Sequence, residues 1–186
     1  MAKIDIVPDQ INELPNNIEA EQSVIGSILI SNEIFDDVNN YLVSKNFYDP
    51  MHQKIFNAIE KLIFSGMLAN PITLKNYFEN EKDKLNIPEY LVKITRFSTS
   101  NRQAIEYSKL IYDLFVKREL IKISENTIDL AKRNEIDNNG QKIIEQSEKS
   151  LFDLAEKGAF ASSLIKFDDA LKMTIDMASS AYKNEE

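Results

Sequence analysis

The stretch from Asn101 to Asn139 contains no glycine or proline, and it constrains the fold more than any other feature of the sequence. Glycine and proline are the residues that most often interrupt a helix, so this stretch can form one long helix. The spacing of its apolar residues predicts a helix over 102–133, about 45 Å long. The whole chain has four glycines and five prolines, too few for the turns of a β-sandwich or barrel. The sequence therefore predicts an all-α fold.

The predicted long helix carries apolar residues on two nearly opposite sides. The first stripe consists of Tyr107, Leu110, Leu114, Ile121 and Ile128. The second stripe consists of Ile105, Tyr112, Val116, Leu120, Ile123 and Leu130. The turn 137–140 predicts a reversal into a second helix over about 141–157, with Ile143, Ile144, Leu151 and Leu154 in register. Two stripes need two partners: the returning helix covers one, and either a second subunit or the compact head that precedes the long helix covers the other.

Five short helices are predicted ahead of the long helix, and their apolar faces form a compact head. Their starts are indicated by Asn16 or Asn17, Ser31 or Asn32, Pro50, Thr73 and Pro88. Gly26 lies within the first helix and, having no side chain, allows another backbone to come close. Gly66 is placed to end the third helix.

The same patterns predict the domain organisation. The chain divides into a flexible tail over 1–13, the globular helical head over 14–100, the antiparallel hairpin over 101–157, a linker over 158–166 and a linker helix over 167–186. The last helix carries a one-sided apolar stripe that includes Phe167, Leu171, Ile175 and Tyr182. Behind a short linker, this stripe has no evident place within its own chain.

The net charge of −8 and the absence of cysteine exclude several classes of function. Proteins that bind duplex nucleic acid tightly usually present a basic stripe, so strong nucleic-acid binding is not expected. The net charge does not exclude a local basic patch. Without cysteine there is no disulfide framework, thiolate zinc site or cysteine nucleophile. The sequence shows neither a signal peptide nor the run of about 20 apolar residues that spans a bilayer. These features predict a soluble, cytoplasmic protein.

Catalytic, cofactor and metal sites are not expected in this sequence. The glycines at 26, 66, 140 and 158 cannot form a P-loop or a dinucleotide fingerprint, so the chain is not expected to hydrolyse ATP. His52 is the only histidine, lacks the pattern of a general base with a nucleophile, and is interpreted as a structural or surface residue. Glu19 and Glu21 are interpreted as solvated charges in the first turn of a helix.

Several segments carry a likeness to a known family. The most specific is 14–26 (LPNNIEAEQSVIG), followed by Phe47-Tyr48 with 52–59 (HQKIFNAI). Weaker matches follow in order at Thr73-Leu74, Tyr90-Leu91, Asn101, Tyr107, Arg118 with Leu120-Ile121, and 152–155. Together they resemble the N-terminal part of the bacterial replicative DNA helicase, the DnaB family, over about 14–158, and the helix from Phe167 resembles its linker helix. Asn70, where the family usually has Asp, and Ile87-Pro88, where it often has Gly-Gly, depart from the pattern.

The resemblance implies an N-terminal collar domain cut before the ATPase domain, so that ATP and Mg²⁺ are expected only for the absent part. It implies homo-oligomers, as a dimer or trimer of dimers within a hexamer, with DNA primase and, in several bacteria, a helicase loader as partners. By position, Glu19, Tyr90, Arg118 and Ile121 match residues involved in communication with primase, and Leu114 joins Ile121 as a subunit-interface candidate. Phe167, Leu171, Ile175 and Tyr182 match the helix that docks on a neighbouring subunit.

Two other functions stay open at this point. One is a free-standing helical adaptor or loader-type module that never had an ATPase domain. The other is a helical hydrolase with buried carboxylates, which requires inward-facing Asp or Glu on two facing helices, and the apolar stripes contain no such pair. For Tyr90 the alternative to a partner contact is a core aromatic, and for Ile121 it is packing within the hairpin.

Overall fold

A computed structural model describes residues 13–78, 87–133 and 139–156, and within these ranges the only regular structure is helical. The prediction of an all-α fold is therefore confirmed. None of the helices in these ranges is long and apolar enough to cross a membrane. The predictions for the tail, the linker and the linker helix, including Phe167, Leu171, Ile175 and Tyr182, lie outside the described residues.

The helices follow one another with short connections. In chain order they are α1 (Ile18–Ile30), α2 (Ile34–Asn39), α3 (Pro50–Phe64), α4 (Pro71–Phe78), α5 (Ile87–Thr95), α6 (Asn101–Lys132) and α7 (140–156), with a 3-10 turn at Ser44–Asn46 before α3. The chain forms two compact units, and the boundary falls within α6, between Arg118 and Glu119.

The helix starts show which capping predictions were right. Asn17 caps α1, because its Oδ1 accepts from the backbone N–H of Ala20 at 2.9 Å. Pro50 is the first residue of α3, as predicted. The prediction that Thr73 caps α4 is wrong: the helix begins at Pro71, and Asn70 Oδ1 accepts from the N–H of Ile72 at 2.9 Å and of Thr73 at 3.0 Å. Asn70 thus supplies the acceptor that an aspartate would supply, and Thr73 lies inside the first turn.

The core of the first unit is built from the apolar residues of the short helices, and α1 is buried on all sides over 24–29. Its largest fully buried side chains are Phe35, Phe47, Phe56, Ile25, Ile28, Leu42, Ile55, Ile59, Leu74, Leu91, Ile94 and Ile111. The ring of Phe56 is the centre of an aromatic cluster, with its centroid 5.9 Å from that of Phe35 and 4.9 Å from that of Phe47. α1 packs against both α3 and α5 and so joins the two halves of the head.

At Gly26 the backbone of α1 lies close to that of α5. A Cβ built at this position would collide with the backbone carbonyl of Ile94 and would lie 3.3 Å from the backbone nitrogen of Ser98. The prediction of a close backbone approach at Gly26 is therefore confirmed. Gly66, which follows the last turn of α3, has a φ of 74°, a conformation that glycine adopts without strain.

The buried face of α6 in the first unit differs from both predicted stripes. Its buried residues are Ala104, Ser108, Ile111 and Arg118, none of which belongs to either stripe. Leu110 on the first stripe is exposed, and Tyr112 on the second is half-buried. The sequence reasoning failed here because it followed large apolar side chains, whereas Ala104 and Ser108 are small and Arg118 is charged.

In the second unit, α7 runs back along the C-terminal part of α6. The hydroxyls of Thr127 and Ser147 are 2.9 Å apart across the two helices, and the predicted helical hairpin is therefore present. The half-buried apolar residues of this pair are Ile121, Ile123, Leu130, Ile143 and Leu154. Ile144 and Leu151, predicted to be in register with the inner face, are exposed. The hairpin thus leaves apolar side chains uncovered.

Candidate protein-interaction site

A buried carboxylate occupies the interior of the head. Glu21 on α1 is only 1% exposed. Its oxygens accept from the backbone N–H of Tyr48 at 2.6 Å and of Asp49 at 3.3 Å. Both N–H groups belong to the turn that leads into α3, whose N-terminus carries the positive end of the helix dipole. The site therefore satisfies a negative charge that would otherwise be costly to bury.

His52 connects this carboxylate to a second side chain. Its ring is completely buried. Nδ1 lies 2.6 Å from Oε2 of Glu21, and Nε2 lies 2.7 Å from the hydroxyl of Tyr90. The rings of His52 and Tyr90 are nearly parallel, with an interplanar angle of 12°. Since both ring nitrogens have partners, the only histidine of the chain is held in one orientation.

Tyr90 brings the network to the surface. It is half-buried on α5, and its hydroxyl also accepts from Nε2 of Gln22 at 3.3 Å. Burial raises the pKa of the Tyr90 hydroxyl, and Asp49 and Glu21 nearby act in the same direction, so the phenol keeps its proton at neutral pH. Glu19, which is exposed, lies three residues before Gln22 on the same side of α1.

The Glu21–His52–Tyr90 network is poorly suited to nucleophilic catalysis. A phenol with a raised pKa is a poor nucleophile, and its proton and one lone pair are already engaged. No group of three or more His, Cys, Asp or Glu side chains within the described ranges is placed to hold a metal ion. What the network can do is fix the position of the Tyr90 hydroxyl and of its neighbour Gln22 at the surface.

Two of the predicted site residues are linked through Gln22. Glu19 lies one turn before Gln22 on the same side of α1, and Gln22 contacts the hydroxyl of Tyr90. We call Glu19, Gln22 and Tyr90 the α1/α5 surface. Their predicted role in binding a partner remains a prediction, because burial and hydrogen bonds alone do not show an interaction.

Arg118 occupies a different position in the same unit. It is buried, and its guanidinium donates to the carbonyl of Pro15 at 2.8 Å and of Asn46 at 2.6 Å. The central guanidinium carbon of Arg118, Cζ, lies 5.5 Å from the ring centre of Tyr48. Tyr48 is the residue whose backbone N–H donates to Glu21. These contacts tie α6 to the segment before α1 and to the turn before α3, so any effect of Arg118 on a partner surface acts through the fold of the head.

The two interface candidates of α6 lie in different units. Leu114 is half-buried in the first unit, and Ile121 is half-buried in the second. Ile128, seven residues after Ile121 and therefore on the same side of the helix, is 51% exposed. At about 100° per residue, both lie about 100–120° away from Thr127, which contacts α7. Ile121 and Ile128 therefore lie to one side of the Thr127 contact with α7, and Ile128 is left uncovered.

Sequence reasoning missed the interior of the network. Glu21 was interpreted as a solvated charge, which is wrong because it lies on the buried side of α1 with Val24, Ile25 and Ile28. The signal was available: these residues follow Glu21 by three, four and seven positions, the spacing of one helix face. His52 precedes the buried Ile55 and Phe56 on α3 by three and four positions.

Comparison with known proteins identifies the family. A family model described as the DnaB-like helicase N-terminal domain matches residues 13–113, more than half of the chain. A relative from Rickettsia bellii (strain RML369-C), the "Replicative DNA helicase DnaB", is 36% identical over 175 residues, which are 93% of this chain and 35% of the relative. A protein of the same name from Pasteurella multocida (strain Pm70) is 30% identical over 152 residues, 77% of this chain and 31% of that protein.

The fold agrees with a solved structure. The N-terminal domain of the DnaB helicase from Mycobacterium tuberculosis superposes with a TM-score of 0.67 at 22% identity, covering 76% of this chain and 99% of that chain. The chain spans about a third of the length of the curated relatives. The resemblance found in the sequence is confirmed, and the chain belongs to the family of DnaB-like helicase N-terminal domains.

Proposed function

We propose that this chain acts as the N-terminal collar of a replicative DNA helicase, where it joins helicase subunits and docks the DNA primase. The observation that carries the docking proposal is the α1/α5 surface, whose Tyr90 hydroxyl is held by the buried His52, which is itself oriented by the buried Glu21. A surface fixed in this way binds at a low entropic cost. A helicase loader is a further partner that such a collar can engage.

The charge of the chain supports a protein partner. With a net charge of −8, the chain is repelled by phosphate backbones, and strong direct binding to nucleic acid is not part of the proposal. Replication takes place in the bacterial cytoplasm, where we place the protein. ATP and Mg²⁺ belong to the proposed activity of a full-length helicase, and the four glycines of this chain offer no P-loop to bind them.

Docking of primase is tested by reversing the charge at Glu19. Because Glu19 is exposed on the α1/α5 surface, Glu19→Lys should weaken binding of the primase C-terminal domain about tenfold without loss of helicity. Binding is measured by isothermal titration calorimetry, and helicity by circular dichroism. The matched control is Glu33→Lys, at the exposed start of α2. Equal affinities for the parent protein and the Glu19 variant would exclude the α1/α5 surface as the docking site.

Self-association is tested on the uncovered side of the hairpin. Ile128→Asp, alone or with Ile121→Asp, should weaken the oligomer at least tenfold, because it places a charge where apolar side chains of two subunits would meet. Sedimentation velocity measures the association, and circular dichroism shows whether the helices remain. Asn126→Asp is the control, since it adds the same charge on another side of α6. Loss of helicity in place of dissociation would assign Ile121 and Ile128 to packing within the chain.

A further inference from the structure

The hydrogen bonds of the buried network all run in one direction. The carboxylate of Glu21 receives N–H groups from Tyr48 and Asp49, so its partner His52 must donate through Nδ1. In a neutral imidazole the other nitrogen, Nε2, is then an acceptor. The hydroxyl of Tyr90, 2.7 Å from Nε2, gives its proton inward as long as the imidazole is neutral.

The same rule extends to the surface. The hydroxyl oxygen of Tyr90 accepts from the amide of Gln22. In this series of hydrogen bonds Gln22 donates to Tyr90, Tyr90 donates to His52, and His52 donates to Glu21. What remains for a partner is the second lone pair of the Tyr90 oxygen, the carbonyl oxygen of Gln22 and the carboxylate of Glu19, all of which accept hydrogen bonds.

We propose that the buried Glu21–His52 pair makes the α1/α5 surface a set of hydrogen-bond acceptors, and that this surface receives an arginine or lysine side chain of the partner protein. The negative charges of Glu19 on α1 and of Asp49 before α3 match a cation. His52 is a positioning residue in this arrangement, because it acts on the partner only through the hydroxyl of Tyr90. The part of this inference that concerns the partner's arginine or lysine rests on the proposed docking of primase.

The direction of the hydrogen bonds is tested by nuclear magnetic resonance on the chain alone. Because His52 is the only histidine, the ¹⁵N spectrum of the imidazole contains a single pair of ring nitrogens. The expected result at neutral pH is a protonated Nδ1 and an unprotonated Nε2. In Tyr90→Phe the Nε2 signal should shift, because its donor is gone. A proton on Nε2 in the parent protein would overturn the proposal, since the Tyr90 hydroxyl would then point outward as a donor.

The chemistry of the partner is tested by a double-mutant cycle. Tyr90→Phe should weaken binding of the primase C-terminal domain about tenfold, and an Arg→Met or Lys→Met change on the primase domain should abolish that sensitivity. The control is Tyr77→Phe, an exposed tyrosine whose hydroxyl accepts from Lys61, which should leave affinity unchanged. The proposal would be overturned if the cycle found a coupling energy between Tyr90 and an acidic or carbonyl group of the partner. It would also be overturned if no basic residue of the partner were coupled to Tyr90.

The two proposals fail in different ways. If the parent chain does not bind the primase domain, the proposed docking is wrong, and so is the proposed contact with a basic residue of primase. The imidazole spectrum still decides the direction of the hydrogen bonds. If binding is seen but the cycle finds no basic residue coupled to Tyr90, the docking stands and the acceptor surface is rejected.

Discussion

Replacing Glu21 with alanine should lower the free energy of unfolding of the first unit by about 4 kcal/mol. The change leaves three donors without a partner inside the head: Nδ1 of His52 and the N–H groups of Tyr48 and Asp49. Removing one member of a buried ion or hydrogen-bond pair typically costs about 3–5 kcal/mol, because the remaining groups stay desolvated. Glu21→Gln keeps the shape and one acceptor oxygen, so its cost should be about half as large.

Urea denaturation followed by circular dichroism measures this effect. The matched control is Glu19→Ala, which removes the same side chain two residues earlier on the exposed side of α1 and should change stability by less than about 0.5 kcal/mol. A reading of equal stability for the two alanine variants would mean that Glu21 is not the acceptor for the turn before α3. Tyr90→Phe should fall between them, because it frees only one nitrogen of His52.

The parts of the fold that follow from apolar periodicity were predictable. The helices α1, α3 and α5 appear where the spacing of Ile, Leu and Phe places them, and Pro50 and Asn17 begin helices as expected. Local signals suffice here because an apolar face and a cap are both properties of a few neighbouring residues.

The interior polar contacts were not predictable in the same way. Glu21 and His52 are stabilised by groups far away in the chain, and a carboxylate or imidazole without a known partner is normally assigned to the surface. Arg118 illustrates the same limit: its guanidinium is buried because the carbonyls of Pro15 and Asn46 are there to receive it. Periodicity indicates which side of a helix is inside, but only tertiary contact shows that a charge can be accommodated there.

Gly26→Ala should destabilise the first unit by about 2 kcal/mol. The new methyl group would collide with the backbone carbonyl of Ile94, and neither backbone can rotate away as a side chain would. Overpacking a core usually costs about 1–3 kcal/mol, and a backbone neighbour places this case at the upper end. The higher helix propensity of alanine offsets about 1 kcal/mol of that loss. The segment beyond α5 is also affected, since the N–H of Thr99 donates to the hydroxyl of Ser27 at 2.9 Å.

Two other glycines provide controls that separate packing from backbone conformation. Gly66→Ala meets no atom within 4 Å, but its φ of 74° is strained for alanine, so it should cost about 1 kcal/mol with no change in packing. Gly140→Ala also meets open space and lies in the first turn of α7, so it should be neutral or stabilising. Urea denaturation together with hydrogen exchange of α1 and α5 measures all three variants. Because a methyl group at Gly26 can be admitted only if α1 and α5 move apart, faster exchange in both helices should accompany its loss of stability, and unchanged exchange there would contradict the close approach of the two backbones.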